Sequence, residues 1–217
     1  MKLAPGSKLV MIGDSITDCD RTRPVGEGLF GAEGKGYVAL VKAMLGTFCP
    51  EMNIRVVNMG CGGNTVRDLD ARWQTDVIDL KPDWLSIMIG INDVWRQYDL
   101  PHQPESHVYL SEYTATLDQL VAKTLPKVKG LVLMTPFYIE SNLNDAMRVT
   151  MSQYGSALKE VALKYNTLFV DTQAAFDALL DHNYAATIAW DRVHPSLTGH
   201  MAIARAFLNA VEMPWIE

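Results

Sequence analysis

Five short apolar runs, each too brief for a helix, alternate along the chain with longer segments of helical periodicity, and this limits the available folds. The runs are Leu9–Ile12, Ile54–Asn58, Trp84–Ile89, Gly130–Met134 and Thr167–Val170. Near-continuous apolar runs of this length suit strands buried on both faces. Strands that alternate with helices imply a parallel sheet covered on both sides. The 217 residues suffice for one domain with a substantial core, and no repeat, linker or low-complexity segment divides them. The expectation is an α/β fold over 1–217: a single domain with three layers, α/β/α, around a five-stranded parallel sheet. The pattern does not itself set the strand order. At this size the flavodoxin-like order 2-1-3-4-5 is the commonest.

Helices are expected over Tyr37–Leu45, through Leu69, Trp73 and Val77, through Tyr109–Val121, and from about 146 to Tyr165. A last helix starts at Pro195-Ser196 and turns Met201, Ala204, Phe207, Leu208 and Val211 to one side. Val94–Glu105 and Pro136–Asp145 read as long loops.

The first run breaks sharply at Gly13-Asp14-Ser15, which sets Ser15 just past the carboxyl end of a strand. Open α/β sheets bind ligands at that edge. A serine there can act as a nucleophile if a neighbour takes its proton. Asp191-Arg192-Val193-His194-Pro195 offers one: an imidazole to accept the proton and a carboxylate three residues away to orient it. Pro195 disfavours helical geometry at His194, which places the ring on a loop. Attack on an acyl carbon also needs donors for an oxyanion. Two further strand ends carry them: Gly62-Gly63-Asn64-Thr65, for a backbone N–H, and Gly90-Ile91-Asn92-Asp93, for a side-chain amide. Each segment has an ordinary reading in isolation. Asp191 can cap a helix, His194 can be a surface histidine, and the glycines and Asn92 can simply make turns. Their convergence carries the argument.

These four blocks, in order from Gly13 to His194, resemble those of the SGNH, or GDSL, hydrolase family. The resemblance implies a flavodoxin-like sheet and a Ser-His-Asp triad. It matches Ser15 to the nucleophile, His194 to the base, Asp191 to the orienting acid, and Ser15, Gly63 and Asn92 to the oxyanion donors. Gly63 is preferred to Gly62 because the family's donor glycine directly precedes the polar-Thr pair. The stretches Ile12–Cys19, Gly63–Leu69, Ile91–Asp99, Met134–Glu140, Phe169–Phe176 and Ala189–Pro195 further resemble bacterial intracellular acetylxylan esterases of that family. This implies a cytoplasmic enzyme that removes acetyl groups from small acetylated saccharides, and a homo-oligomer, as in the ring-like homo-octamers of those relatives. The alternative within the fold is a lysophospholipase or thioesterase for longer acyl chains. A non-catalytic sugar-binding module would have lost part of the set, and here every member is present.

Trp95, Tyr98 and Trp190 are the candidate substrate contacts, since aromatic faces suit sugar rings. Arg96 lies beside them, and loop packing is the plainer reading of these positions. Asp14 is expected to bond loop backbone. A net charge of −6 argues against nucleic acid, and no apolar run spans a membrane. The start of the chain lacks the apolar segment of a signal peptide. Cys19, Cys49 and Cys61 show neither disulfide nor metal spacing. His102, His107, His182 and His200 have no ligand partners in sequence, so no metal or cofactor is expected. Gly31–Gly36 lacks the Ser or Thr of a phosphate loop. The apolar tail Met213–Glu217, with Tyr184 and Trp190, reads as either a subunit contact or a segment packed on its own chain.

Overall fold

The computed structural model describes residues 1–215. Its apolar runs form one parallel sheet: β1 (Lys8–Gly13), β2 (Arg55–Gly60), β3 (Trp84–Met88), β4 (Gly130–Met134) and β5 (Leu168–Val170). Their order is β2-β1-β3-β4-β5. In the central strands Leu9–Ile12 and Leu85–Ile87 are fully buried, as burial on both faces requires.

One layer holds α2 (Tyr37–Phe48), α9 (Leu197–Ala210) and α7 (Thr172–Leu180), with α9 packed between the other two. The opposite layer holds α3 (Val66–Trp73), α5 (Leu110–Thr124) and α6 (Ala146–Tyr165), again in successive contact. Two short helices, α1 (Ser15–Asp18) and α8 (Ala185–Ile188), flank the ends of this frame. No described helix is long and apolar enough to cross a membrane.

Several local expectations change. Val94–Glu105 is not a loop throughout: Ile91–Asp99 forms helix α4. Its first turn carries Asn92 and Asp93, both buried, which masks the usual apolar stripe. Trp95, Arg96 and Tyr98 therefore lie on a helix. Helix α7 is additional, capped by Asp171, whose carboxylate accepts the N–H of Ala174 at 2.9 Å. Ser196 is the residue before α9, so Pro195 lies outside the first turn. On α9, Met201 is partly exposed and Ile203 takes an inward position beside Ala204, Phe207 and Leu208. At the tail, Trp215 packs edge-on to Phe48 and donates to Asn209 Oδ1 at 2.7 Å, so it docks on its own chain. Ile216 and Glu217 lie outside the described residues.

Candidate active site

The carboxyl ends of β1, β2 and β3 are level. Gly13 pairs in register with Gly60 on one side and with Met88 on the other. The loops that follow these strands must therefore emerge together at one edge. Ser15 opens α1 directly above β1, and Asp14 caps it by accepting the N–H of Ile16 at 2.9 Å. A Cβ on Gly60 would overlap the Asp18 backbone nitrogen, so glycine is what lets α1 sit on the end of β2.

At this edge Ser15 Oγ lies 2.9 Å from His194 Nε2, and His194 Nδ1 lies 2.6 Å from Asp191 Oδ2. A carboxylate accepts the Nδ1–H, which leaves Nε2 bare to accept the serine hydroxyl. The other oxygen of Asp191 accepts the backbone N–H groups of Val193 at 2.9 Å and His194 at 2.8 Å. One carboxylate thus shapes the turn and aims the ring. Partial burial opposes the Asp191 charge. The hydrogen bonds from the His194 ring and from the two backbone N–H groups outweigh it, and the pKa falls below the ordinary carboxylate value.

The turn is anchored from outside the triad. Arg192 holds a left-handed backbone, φ 63°, unusual for a residue with a side chain. Its carbonyl accepts the Ile139 N–H at 2.9 Å, and its guanidinium pairs with the buried Glu140. Trp95 stands edge-on to the His194 ring with centroids 5.9 Å apart.

The facing side of this edge is built from the loops after β2 and β3. Gly62 donates its N–H to Asp18 Oδ2 at 3.1 Å, and Arg23 pairs with the same carboxylate. Gly63, with φ 79°, has an N–H that meets no protein acceptor among the described residues. The Asn92 amide nitrogen donates to Asn64 O at 3.0 Å and keeps a second N–H. Asp93 accepts the N–H of Val66 at 2.9 Å, which ties the start of α3 to the start of α4. Thr65 and Asp68 complete a capping box there. Burial raises the pKa of both Asp14 and Asp93 to about 7.

Two residues central to this edge are invisible to motif reading. Arg72 donates to Gly13 O at 2.9 Å, Met59 O at 2.7 Å and Asn64 Oδ1 at 2.7 Å, fastening the ends of β1 and β2 to the turn at Asn64. Asn58 donates to Thr17 O at 2.6 Å and Glu33 O at 2.8 Å, and accepts from Gly60 N at 2.8 Å. Their only sequence signal is a polar residue in a buried setting, which needs the fold to be seen. Of the aromatic candidates, Tyr98 has its hydroxyl engaged with Ala146 O at 2.8 Å and Thr150 Oγ1 at 2.7 Å, while Trp190 is 88% exposed. Among the described residues no group of His, Cys, Asp and Glu is arranged to hold a metal ion.

A serine, an imidazole and a carboxylate in hydrogen-bonded series at the carboxyl edge of a parallel sheet define a serine hydrolase that cleaves carboxylic esters. The model of the GDSL-like lipase/acylhydrolase family matches residues 11–202, and the chain belongs to that family. The acetylxylan esterase of Geobacillus stearothermophilus is 63% identical over 217 residues, 100% of this chain and 99% of that protein. The crystal structure of that organism's acetylxylan esterase Axe2 has a TM-score of 0.99, covering 100% of this chain and 99% of its own. S15A, D191A and H194A are catalytic mutants of Axe2. The α/β hydrolase LAE5, from the metagenome of Lake Arreo, Spain, is 57% identical with a TM-score of 0.96, covering 97% of each chain.

Proposed function

We propose that this chain removes acetyl groups from acetylated xylo-oligosaccharides through an acetyl-enzyme. The connected array Ser15–His194–Asp191 carries the reading. Ser15 Oγ attacks the acetyl carbonyl carbon as its proton passes to His194 Nε2. The tetrahedral oxyanion accepts the N–H groups of Ser15 and Gly63 and the second N–H of Asn92. The engagement of Gly62 with Asp18 supports Gly63 as the glycine donor. His194 then protonates the sugar oxygen as the carbon–oxygen bond breaks, and acetyl remains on Ser15. Water attacks next, giving a proton to His194. The acyl–serine bond breaks, acetate leaves, and His194 returns the proton to Ser15.

The saccharide in this reading comes from the relatives, acetylxylan and acetyl-xylooligosaccharide esterases of Geobacillus stearothermophilus. A cavity of about 330 Å³ supports it, lined by Trp95, Tyr98, Asp99, Tyr138, Asp145 and Met147. It begins at Trp95, against the His194 ring. Aromatic faces for sugar rings beside carboxylates for hydroxyl groups suit a saccharide better than an acyl chain. Trp95, Tyr98 and the exposed Trp190 are the substrate contacts proposed. The same reading takes residues 1–217 as one domain working in the cytoplasm, where unpaired Cys19, Cys49 and Cys61 are at home. It also takes the chain to assemble as a homo-oligomer, a homo-octamer by its resemblance, which light scattering after gel filtration measures directly.

The deciding experiment compares acetate release from acetylated xylo-oligosaccharides with turnover of 4-nitrophenyl acetate and octanoate. The expected result is acetate release from the saccharides and faster turnover of acetate than of octanoate. Faster turnover of octanoate, with no acetate released from the saccharides, would replace this reading with a long-chain acyl hydrolase.

A further inference from the structure

We infer that Arg96 is a positioning residue for the oxyanion site, holding the Asn92 amide with its nitrogen end toward the Gly63–Asn64 turn. The inference rests on the esterase reading and on Asn92 as a donor within it.

The two ends of an asparagine amide are nearly equal in size and opposite in hydrogen-bonding sense. Only the N–H end stabilises an oxyanion. Turned over, the amide would set Oδ1 against Asn64 O and against the charge forming on the substrate. Two contacts of opposite kind select the useful orientation. Asn64 O can only accept, and it takes an N–H of Asn92 at 3.0 Å. Arg96 can only donate, and its NH2 group lies 3.3 Å from Asn92 Oδ1. The spacing is i,i+4 on α4, which stacks the two side chains on one side of the helix.

The guanidinium is itself held. Asp99 pairs with its other nitrogen, and the ring of Trp95 lies 5.2 Å from its central carbon. Asn92 is buried and the Arg96–Asp99 pair only a quarter to a third exposed, so solvent screens the contact incompletely. A cation on Oδ1 also draws electron density from the amide nitrogen and makes its free N–H a stronger donor as negative charge develops. This contribution grows in the transition state, so it belongs to kcat more than to KM.

A double-mutant cycle tests the inference. Arg96→Met keeps an unbranched aliphatic side chain on the helix and removes both the charge and the donors. It is made in the natural chain and in Asn92→Ala, with kcat and KM for 4-nitrophenyl acetate and the Tm of each variant. Arg96→Met is expected to lower kcat about tenfold, as loss of a hydrogen bond to a charged group does, with KM within about twofold. Asn92→Ala is expected to lower kcat about 10²- to 10³-fold. Adding Arg96→Met to Asn92→Ala is expected to change kcat less than about twofold, because the amide it positions is gone. Two results would overturn the inference: an unchanged kcat in Arg96→Met, or the same tenfold loss with and without Asn92. If Arg96→Met does not fold, Arg96→Leu carries the same criteria. A natural chain inactive on every ester would sink the esterase reading and this inference with it. An active chain with independent losses would sink the inference alone.

Discussion

His194 Nε2 lies 2.9 Å from Ser15 Oγ, although 179 positions separate the two residues. The contact exists because Ser15 follows the end of the first strand of the chain, and His194 lies in the loop that precedes α9, packed beside α2. Replacing Ser15 by Ala removes the atom that becomes acylated and leaves the sheet intact. The expected outcome is a fall in kcat of about 10⁴-fold or more on 4-nitrophenyl acetate. The Tm should stay within a few degrees of the natural chain. Full turnover by the Ala variant would rule out an acyl-serine.

Glu140 meets the turn that carries Asp191 and His194 through its pair with Arg192. Glu140→Gln keeps the size of the side chain and gives up the charge that holds the Arg192 guanidinium. The strained turn between Asp191 and His194 then loses one of its outside anchors, while Ile139 N–H on Arg192 O remains. A small displacement of the imidazole is costly, and kcat should fall about tenfold with KM nearly unchanged. Steady-state kinetics on a small acetate ester read the split between the two constants, and a change in KM alone would contradict the assignment.

His200 is buried and its pKa is lowered to about 4, first by desolvation and then by the nearby His194. Its Nδ1 accepts the Tyr37 N–H at 3.2 Å, so the neutral ring belongs to the fold. The folded-state pKa lies below that of the unfolded chain. Between about pH 6.5 and 4 the unfolded chain therefore takes up the proton first. This ring contributes stability that is complete above that window and lost as pH falls through it. His200→Gln should lack that component. Thermal melts at pH 7 and at pH 4.5 should show the Tm gap between the natural chain and the variant narrowing at the lower pH.

Asp93 has the opposite sign. Burial raises its pKa to about 7, and one of its oxygens has no partner among the described residues. The folded state holds the proton more tightly than the unfolded chain. Its contribution is complete below about pH 4 and is lost as pH rises toward 7. Asp93→Asn keeps an oxygen for the Val66 N–H and cannot ionise. Relative to the natural chain, the variant should gain stability as pH rises from 4 to 7, by a few degrees in Tm. A constant gap across that range would mean that Asp93 is not the titrating group.

The strands, the main helices and the triad were legible because each has a local cause. Apolar runs of four to six residues, and Asp191 three places before His194, depend on near neighbours in the chain. α4 was not legible as a helix, because Asn92 and Asp93 fill buried positions in its first turn through tertiary contacts, where a readable stripe would carry apolar side chains. α7 carried a readable signal in its cap, Asp171. Met201 could not be told from Ile203 by periodicity, since both lie near the edge of the same stripe and only packing against neighbouring helices decides between them.

Sequence alone determined the class of fold, the chemical groups at the strand ends and the likeness to a family of serine hydrolases. These rest on residue type and short spacing, which survive without coordinates. Tertiary structure decided which groups are free and which are engaged. It showed Gly62 bound to Asp18, left the Gly63 N–H without a protein acceptor among the described residues, and set Arg72, Glu140 and Arg96 behind the residues that motifs reveal. Such partnerships join atoms whose chain positions bear no regular relation. Only the packed arrangement of helices around one sheet brings them within hydrogen-bonding distance.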